Sequence, residues 1–311
     1  MLPSSPLRQA FVLGAGLGTR LRRLTEVRPK PLIPVAGRPL ITYAFEHLRK
    51  AGIERIVVNT HHRAECYARM FPDAQYHGVP LAFRHEPLLL ETGGGIKNVE
   101  DLLGGGPLIV YNGDILSTIP IEKAIQHHFE AGNEVTLILR SHGGPLHIAH
   151  DVSSGRILDI SNRLGRAEGT YLFTGIYIVQ PSFFNRLRLQ KVSVVPTFLE
   201  MIEAGGPLGG IVLDEGDWWD LGTREQYLDV HRTLKGRAPT SNWVSETSYV
   251  APDARISGAS YVGANCKIGA GCVIEDSILW EGTELAENSV LRNCIVTEGQ
   301  TVSGSFTNQD F

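Results

Sequence analysis

Cysteine is scarce in this chain, and the four present, Cys66, Cys266, Cys272 and Cys294, form no CxxC pair and stand at no metal-type spacing with histidine. Cysteine-based metal binding is thereby argued against, and plain buried or surface thiols are expected. Charge of one sign is equally scarce. A formal net charge of −4 and a pI near 6.3 leave no sequence-wide basic field, so a nucleic-acid binder working by phosphate neutralisation is excluded. Any phosphate ligand must be met by local groups. No apolar run approaches the roughly 20 residues of a membrane span, and the opening MLPSSPLRQAFVLGAG has too short an apolar stretch for a secretory signal. A cytoplasmic enzyme with neither a membrane nor a nucleic-acid partner is expected.

At 311 residues and 34.1 kDa the chain exceeds the usual single domain, so one large domain and a smaller appendage are expected. Short β-branched runs, Gln9 to Leu13, Arg55 to Asn59, Leu108 to Asn112, Val135 to Leu139 and Tyr171 to Val179, read as strands. Between them Leu40 to Ala51, Ala64 to Met70, Ile96 to Leu103, Ile121 to Ala131 and Pro196 to Ala204 read as helices. The alternation predicts an α/β domain with a mostly parallel sheet over residues 1–235, whose ligands sit beyond the carboxyl ends of the strands. The segment Lys235 to Asn242 reads as a linker.

Beyond it the period changes. Val250, Ile256, Val262, Ile268 and Ile274 recur every six positions, with the small residues Ala254, Ser260, Cys266 and Cys272 four places after the first four of them. That period suits neither a helix nor a plain strand, but it suits a three-sided solenoid with one hexapeptide per face. It resembles the hexapeptide-repeat left-handed β-helix, over residues 243–305. The register slips after Ile274 and returns at Val290, Val296 and Val302, giving roughly three coils. Cys266 and Cys272 then hold the small inward position.

After the first strand comes Leu13-Gly14-Ala15-Gly16-Leu17-Gly18-Thr19-Arg20-Leu21. Glycines here let backbone N–H groups approach a triphosphate, and Arg20 supplies charge-assisted bonds to its oxygens. A dinucleotide fold would need an acid at the end of the next strand, which instead ends Val58-Asn59-Thr60, and a P-loop would need Gly-Lys-Ser/Thr. Arg28-Pro29-Lys30-Pro31-Leu32 and Gly37-Arg38-Pro39-Leu40-Ile41 follow, then Glu91-Thr92-Gly93-Gly94-Gly95, Tyr111-Asn112-Gly113-Asp114 and Trp219-Asp220-Leu221-Gly222-Thr223.

This ordered set resembles the signature of the sugar-1-phosphate nucleotidyltransferases over residues 9–234. The resemblance implies a Rossmann-like nucleotidyltransferase domain, an NTP and a sugar 1-phosphate as substrates, and Mg²⁺ held by Asp114 and Asp220. The sugar phosphate is already ionised at neutral pH and needs no general base, so alignment and charge neutralisation are what the protein must supply. Arg20 and Lys30 are the candidates for that work. Leu13, Gly14, Ala15, Gly16, Gly18, Thr19, Thr92, Gly93 and Gly94 are the expected nucleotide-binding positions. Glu86 has two readings, an acceptor for a base edge or a solvated charge. Asn112, Asn162, Arg163, Thr174 and Gly175 are the expected sugar-phosphate positions.

One departure stands out. Asn162 and Arg163 occupy the places where many relatives carry a Glu-Lys pair. The arginine keeps the charge but changes the geometry, and the missing carboxylate removes an acceptor for sugar hydroxyls. The tail resembles that of mannose-1-phosphate guanylyltransferases, which points to GTP. The Leu90-Glu91-Thr92-Gly93-Gly94-Gly95 run resembles N-acetylmuramate-1-phosphate uridylyltransferases, which points to UTP. A silent regulatory paralogue is the rival outside catalysis, and the presence of Arg20, Lys30, Asp114 and Asp220 argues against it. The β-helix is an expected surface for homo-oligomer formation.

Overall fold

The computed structural model describes residues 7–16, 18–21, 23–238 and 243–311, so Leu17 of the glycine run and Pro239 to Asn242 of the expected linker lie outside the described residues. The chain divides into two compact units, Met1–Leu17 with Ile41–Trp219, and Gly18–Leu40 with Asp220–Phe311.

The first unit is built on a ten-stranded sheet. At its centre Leu108–Asn112, Gln9–Leu13, Arg55–Thr60 and Val79–His85 lie side by side and parallel. Leu172–Val179 runs antiparallel between Leu108–Asn112 and Val135–Arg140, and the latter pairs in parallel with Leu208–Val212. The central strands read as unbroken apolar runs because both faces are covered: Phe11, Val57, Val110 and Leu137 all lie in one core cluster, wholly buried. The Ile41–Lys50 helix is amphipathic, burying Ile41, Ala44, Phe45 and Leu48 along one stripe. Every strand expected from the sequence is present. Val79–His85, Ile148–Asp151, Arg156–Ile160 and Leu208–Val212 are additional; the sequence conceals them behind Pro80, His150, Asp159 and the Gly209-Gly210 pair.

One helix differs from expectation. The predicted helix at Ile96 to Leu103 begins earlier, as Glu91–Asn98, and finishes as a separate short turn, Glu100–Leu102. Three consecutive glycines each cost about 1 kcal/mol of helix propensity relative to alanine, so propensity alone would place Gly93–Gly95 in a loop. Tertiary contact overrides it. The N–H groups of Gly93 and Gly94 donate to Val192 O at 2.9 and 3.1 Å, Val194 N donates to the Thr92 hydroxyl at 2.8 Å, and a Cβ on Gly94 would lie 2.0 Å from Gln190 O. The glycines are there so that the 190–194 strap can lie directly on the helix.

In the second unit, short parallel strands form three sheets, two of four strands and one of three, which makes nearly four coils of β-helix rather than three. Val250 pairs with Ile268, eighteen positions on, whereas Ile268 pairs with Leu285 and Leu285 with Val302, seventeen on. From Ile274 as far as Val302 the coils are therefore one residue short of three hexads, and the slip in the sequence is this lost corner residue, while the final step from Leu291 to Phe306 is fifteen positions. Its consequence corrects the inward stack. Leu279, Leu285, Leu291, Val296 and Val302 form the core, while Val290 is only half-buried. Cys266 and Cys272 pack inward as expected, joined by Cys294, and all four cysteines are free and buried. Phe306 and Phe311, with ring centroids 4.9 Å apart, pack on the last coil. Among the described residues no helix is long and apolar enough to cross a membrane.

Candidate active site

In the α/β unit the candidate residues gather where strands end. Gly14, directly after Gln9–Leu13, donates its N–H to Asn59 Oδ1 at 2.8 Å, and its carbonyl accepts from Tyr67 Oη at 2.9 Å. A Cβ there would lie 2.6 Å from Asn59 O, so glycine lets the turn close on the neighbouring strand. Leu13 is half-buried, Ala15 is buried and Gly16 is exposed. Asn59 was invisible as a site residue, although it is the residue whose lack of charge set the chain apart from a dinucleotide fold. It continues the network: Asn59 Nδ2 donates to Glu86 Oε1 at 2.8 Å, and Leu90 N donates to Glu86 Oε2 at 3.0 Å. Glu86 is wholly buried. The reading of Glu86 as a solvated charge is thereby corrected, because both its oxygens take donors from the protein and tie three strand-end loops together.

Asn112-Gly113-Asp114 closes against the same first strand, with Gly113 N donating to Leu13 O at 2.9 Å. Asn112 and Asp114 are half-exposed. Across the sheet the antiparallel strand breaks register between Phe173 and Tyr177, and Gly175, at φ +78°, brings its Cα against the Asn112 side chain, where a Cβ would stand 2.4 Å from Nδ2. Thr174 is buried; its hydroxyl donates to Ile138 O at 2.8 Å, and its carbonyl accepts from Trp218 Nε1 at 2.8 Å. Thr174 thus anchors the bulge, and Trp218 is tied down as a structural residue.

Asn162 and Arg163 are exposed on a turn in which Ser161 and Asn162 adopt φ of 55° and 51°. Asp159, which the sequence did not single out, organises that turn. Its carboxylate accepts from the N–H groups of Ile160 at 2.7 Å, Leu164 at 3.1 Å and Arg166 at 3.0 Å. Burial pushes its carboxyl up, but these amides pull it further down, and it ends below the usual aspartate range.

In the second unit the motif residues are again brought together. Gly18, at φ +62°, starts the turn Thr19–Leu21; a Cβ on it would stand 2.9 Å from Lys30 Cβ. Thr19 is exposed. Lys30 is only 3% exposed, and its Nζ donates to Asp220 Oδ1 at 3.1 Å. Arg20 is solvent-facing, with Nη2 3.6 Å from Asp220 Oδ2. The run after Asp220 explains itself locally. Leu221 is wholly buried, Gly222 leaves room for the Arg20 guanidinium, which a Cβ would meet at 2.6 Å, and Thr223 caps the Arg224–Arg237 helix in a reciprocal capping box with Gln226. Asp220 is therefore held between a fixed anchor and a fixed helix start, facing two cations.

The sequence model of the Nucleotidyl transferase family matches residues 9–237, and that of the GMPPB C-terminal domain matches residues 239–307. The mannose-1-phosphate guanylyltransferase of Mycobacterium tuberculosis is 28% identical over 91% of this chain and 82% of that protein. The UTP–glucose-1-phosphate uridylyltransferase of Synechocystis is 25% identical over 93% of this chain and 87% of that protein. The crystal structure of HddC from Yersinia pseudotuberculosis, complexed with GMP-PN, superposes with a TM-score of 0.62 at 22% identity, covering 73% of this chain and all of that one, which is a likeness of fold. With its first model spanning well over half of the sequence, the chain belongs to the nucleotidyl transferase family, with a C-terminal domain of the GMPPB type.

Proposed function

We propose that this enzyme joins GTP to mannose 1-phosphate, releasing pyrophosphate and GDP-mannose. The observation that carries the reading is the Arg20, Lys30 and Asp220 group. A buried ammonium beside an exposed guanidinium, both on one carboxylate, is an arrangement for polyphosphate and a divalent ion rather than for packing alone. The guanylyl and mannosyl parts draw on the relative in Mycobacterium tuberculosis, which this chain matches along both of its family domains.

In the reaction an oxygen of the sugar phosphate forms a bond to the α-phosphorus, while the bond from that phosphorus to the bridging oxygen breaks and its electron pair leaves with pyrophosphate. The chain contributes no covalent intermediate. Arg20 and Lys30 neutralise the charge that builds on the departing side, where preorganised donors do most for the rate. Mg²⁺ is implied by the family. The chemistry of the donors suits it: Asp114 and Asp220 each offer hard carboxylate oxygens, the ligand type such an ion takes beside waters and phosphate oxygens. When bound, the ion supplies charge neutralisation and alignment of the triphosphate.

Pyrophosphate release over a grid of NTPs and sugar 1-phosphates tests the reading. Highest kcat/KM with GTP and mannose 1-phosphate is expected. Preference for UTP with N-acetylmuramate 1-phosphate would move the assignment to the uridylyl class, and no turnover with any pair would leave a silent paralogue. Association of copies through the β-helix belongs to the same reading, and a monomeric mass by light scattering would remove it.

A further inference from the structure

Arg28 stands two positions ahead of Lys30 and is itself 7% exposed. Its guanidinium lies over the Trp280 ring, 5.1 Å from the centroid, and its Nη2 pairs with the carboxylates of both Glu281 and Glu298. Those two glutamates occupy one corner of successive coils. The strands before them pair Ile278 with Ile295 and Leu279 with Val296, and Gly299 N donates to Glu281 O at 3.0 Å. Like charges stacked on neighbouring rungs destabilise a coil. The solenoid itself does not require them: the preceding coil has Ala264 at this corner, its carbonyl taking Gly282 N at 2.8 Å. What the corner makes is a receptor for one planar cation with an aromatic face beneath it, a geometry that selects arginine over lysine.

The same segment is held further along. Trp280 is wholly buried and its Nε1 donates to Tyr227 Oη at 3.1 Å, which in turn donates to Pro34 O at 2.5 Å. Ala36 N donates to His231 Nε2 at 3.2 Å, and Gly37 packs so closely on Tyr261 that a Cβ would stand 2.6 Å from its hydroxyl. Lys30 lies inside this run of fixed points, between Arg28 and Pro34.

We propose that the β-helix takes part in the reaction by positioning: Glu281, Glu298 and Trp280 fix Arg28, and through it the backbone that presents Lys30 to Asp220. Arg28 and the two glutamates are positioning residues, and the C-terminal domain is a catalytic requirement rather than an appendage. This rests on the role given to Lys30 above. A displacement of reacting groups by about 1 Å is enough for a hundred-fold loss of rate, so the clamp is read in kcat.

The test is the full chain carrying Glu281→Gln and Glu298→Gln, which removes a like-charge pair and so spares the coil. Turnover of the parent is measured first. The double variant is expected to lose about ten-fold or more in kcat with KM for both substrates within about three-fold of the parent, and the single Glu281→Gln to fall between. Hydrogen exchange should rise at the amides of Leu32, Ile33, Val35 and Ala36, with Gln9–Leu13 and Leu279 to Val302 unchanged. Arg28→Met is expected to lose kcat likewise; should it fail to fold, the triple variant Arg28→Met, Glu281→Gln, Glu298→Gln removes the buried charge imbalance and is expected to fold with the same loss in kcat. Parental kcat and parental exchange in the double variant overturn the proposal, as does a loss of protection throughout the β-helix, which would make the contact merely structural. A parent inactive with every substrate pair would refute the proposed function and the catalytic role of the clamp together, whereas an active parent with an equally active double variant refutes the clamp alone.

Discussion

Withdrawing an ammonium from water costs several kcal/mol unless a partner and further hydrogen bonds compensate it, and Lys30, paired with Asp220, meets that cost at a point where the chain is stiffened by Pro29 and Pro31. A group so preorganised contributes in the transition state more than in the ground state. Lys30→Ala is therefore expected to lower kcat by about 100-fold or more while KM for the NTP changes far less; steady-state kinetics with a rise in KM alone would show that Lys30 contributes uniform binding. The carboxylates predict separately. Asp114→Asn or Asp220→Asn, each retaining shape but losing charge, should cut turnover by about two orders of magnitude or more without unfolding the protein, measured by pyrophosphate release beside circular dichroism. Near-parental activity in Asp114→Asn would remove it from the metal pair. These residues were legible in the sequence because each lies in a short motif. Asp159, Asn59 and Arg28 were not: an Asp that accepts amides of its own turn carries no mark of that role, and an Asn at a strand end or an Arg beside a proline carries no mark of partners 27 and 270 residues away.

Secondary structure was legible wherever apolar period and burial agree, as along Gln9–Leu13 and Ile41–Lys50. It failed at the three glycines of Glu91–Asn98, where contact with the 190–194 strap decides the conformation, and at Val290, where the hexad count was carried one residue out of phase. The β-helix register makes a clean prediction. Leu291→Ala leaves a cavity in the stack and should cost about 2–5 kcal/mol, whereas Val290→Ala, on the half-buried side, should cost about 1 kcal/mol or less. Denaturant melts of the two variants decide it, and equal losses would contradict the seventeen-residue coil.

The whole molecule holds buried histidines that must stay neutral. His231 accepts a hydrogen bond from Ala36 N at Nε2 and donates from Nδ1 to Tyr227 O, so a proton on Nε2 would face a donor, and burial lowers its pKa from 6.5 to about 4. Burial likewise brings His128 to about 4, and lowers His47 and His150. The unfolded chain binds protons near pH 6.5 that the folded one refuses, so stability is full above that value and lost as pH falls from 6.5 towards 4. The slope can reach about 1.4 kcal/mol per pH unit for His231 and again for His128. Asp159, whose carboxyl is depressed, adds its own loss only below the ordinary aspartate value of 3.8. Urea melts from pH 7 to 4.5 should show the decline, and a flat profile would contradict it.

The sequence by itself determined the family, the order of the catalytic motifs, the parallel sheet and the hexapeptide solenoid, because each rests on residues within a few positions of one another and on a period that burial enforces locally. Only the tertiary structure decided that Gly18–Leu40 belongs with Asp220–Phe311 rather than with the strands on either side of it, that Glu86 is buried beneath a network instead of facing solvent, and that Glu281 and Glu298 meet Arg28. The physical reason is range. An apolar period is set by neighbours on one element, whereas a buried charge is tolerated only by a partner that the fold brings in from far along the chain.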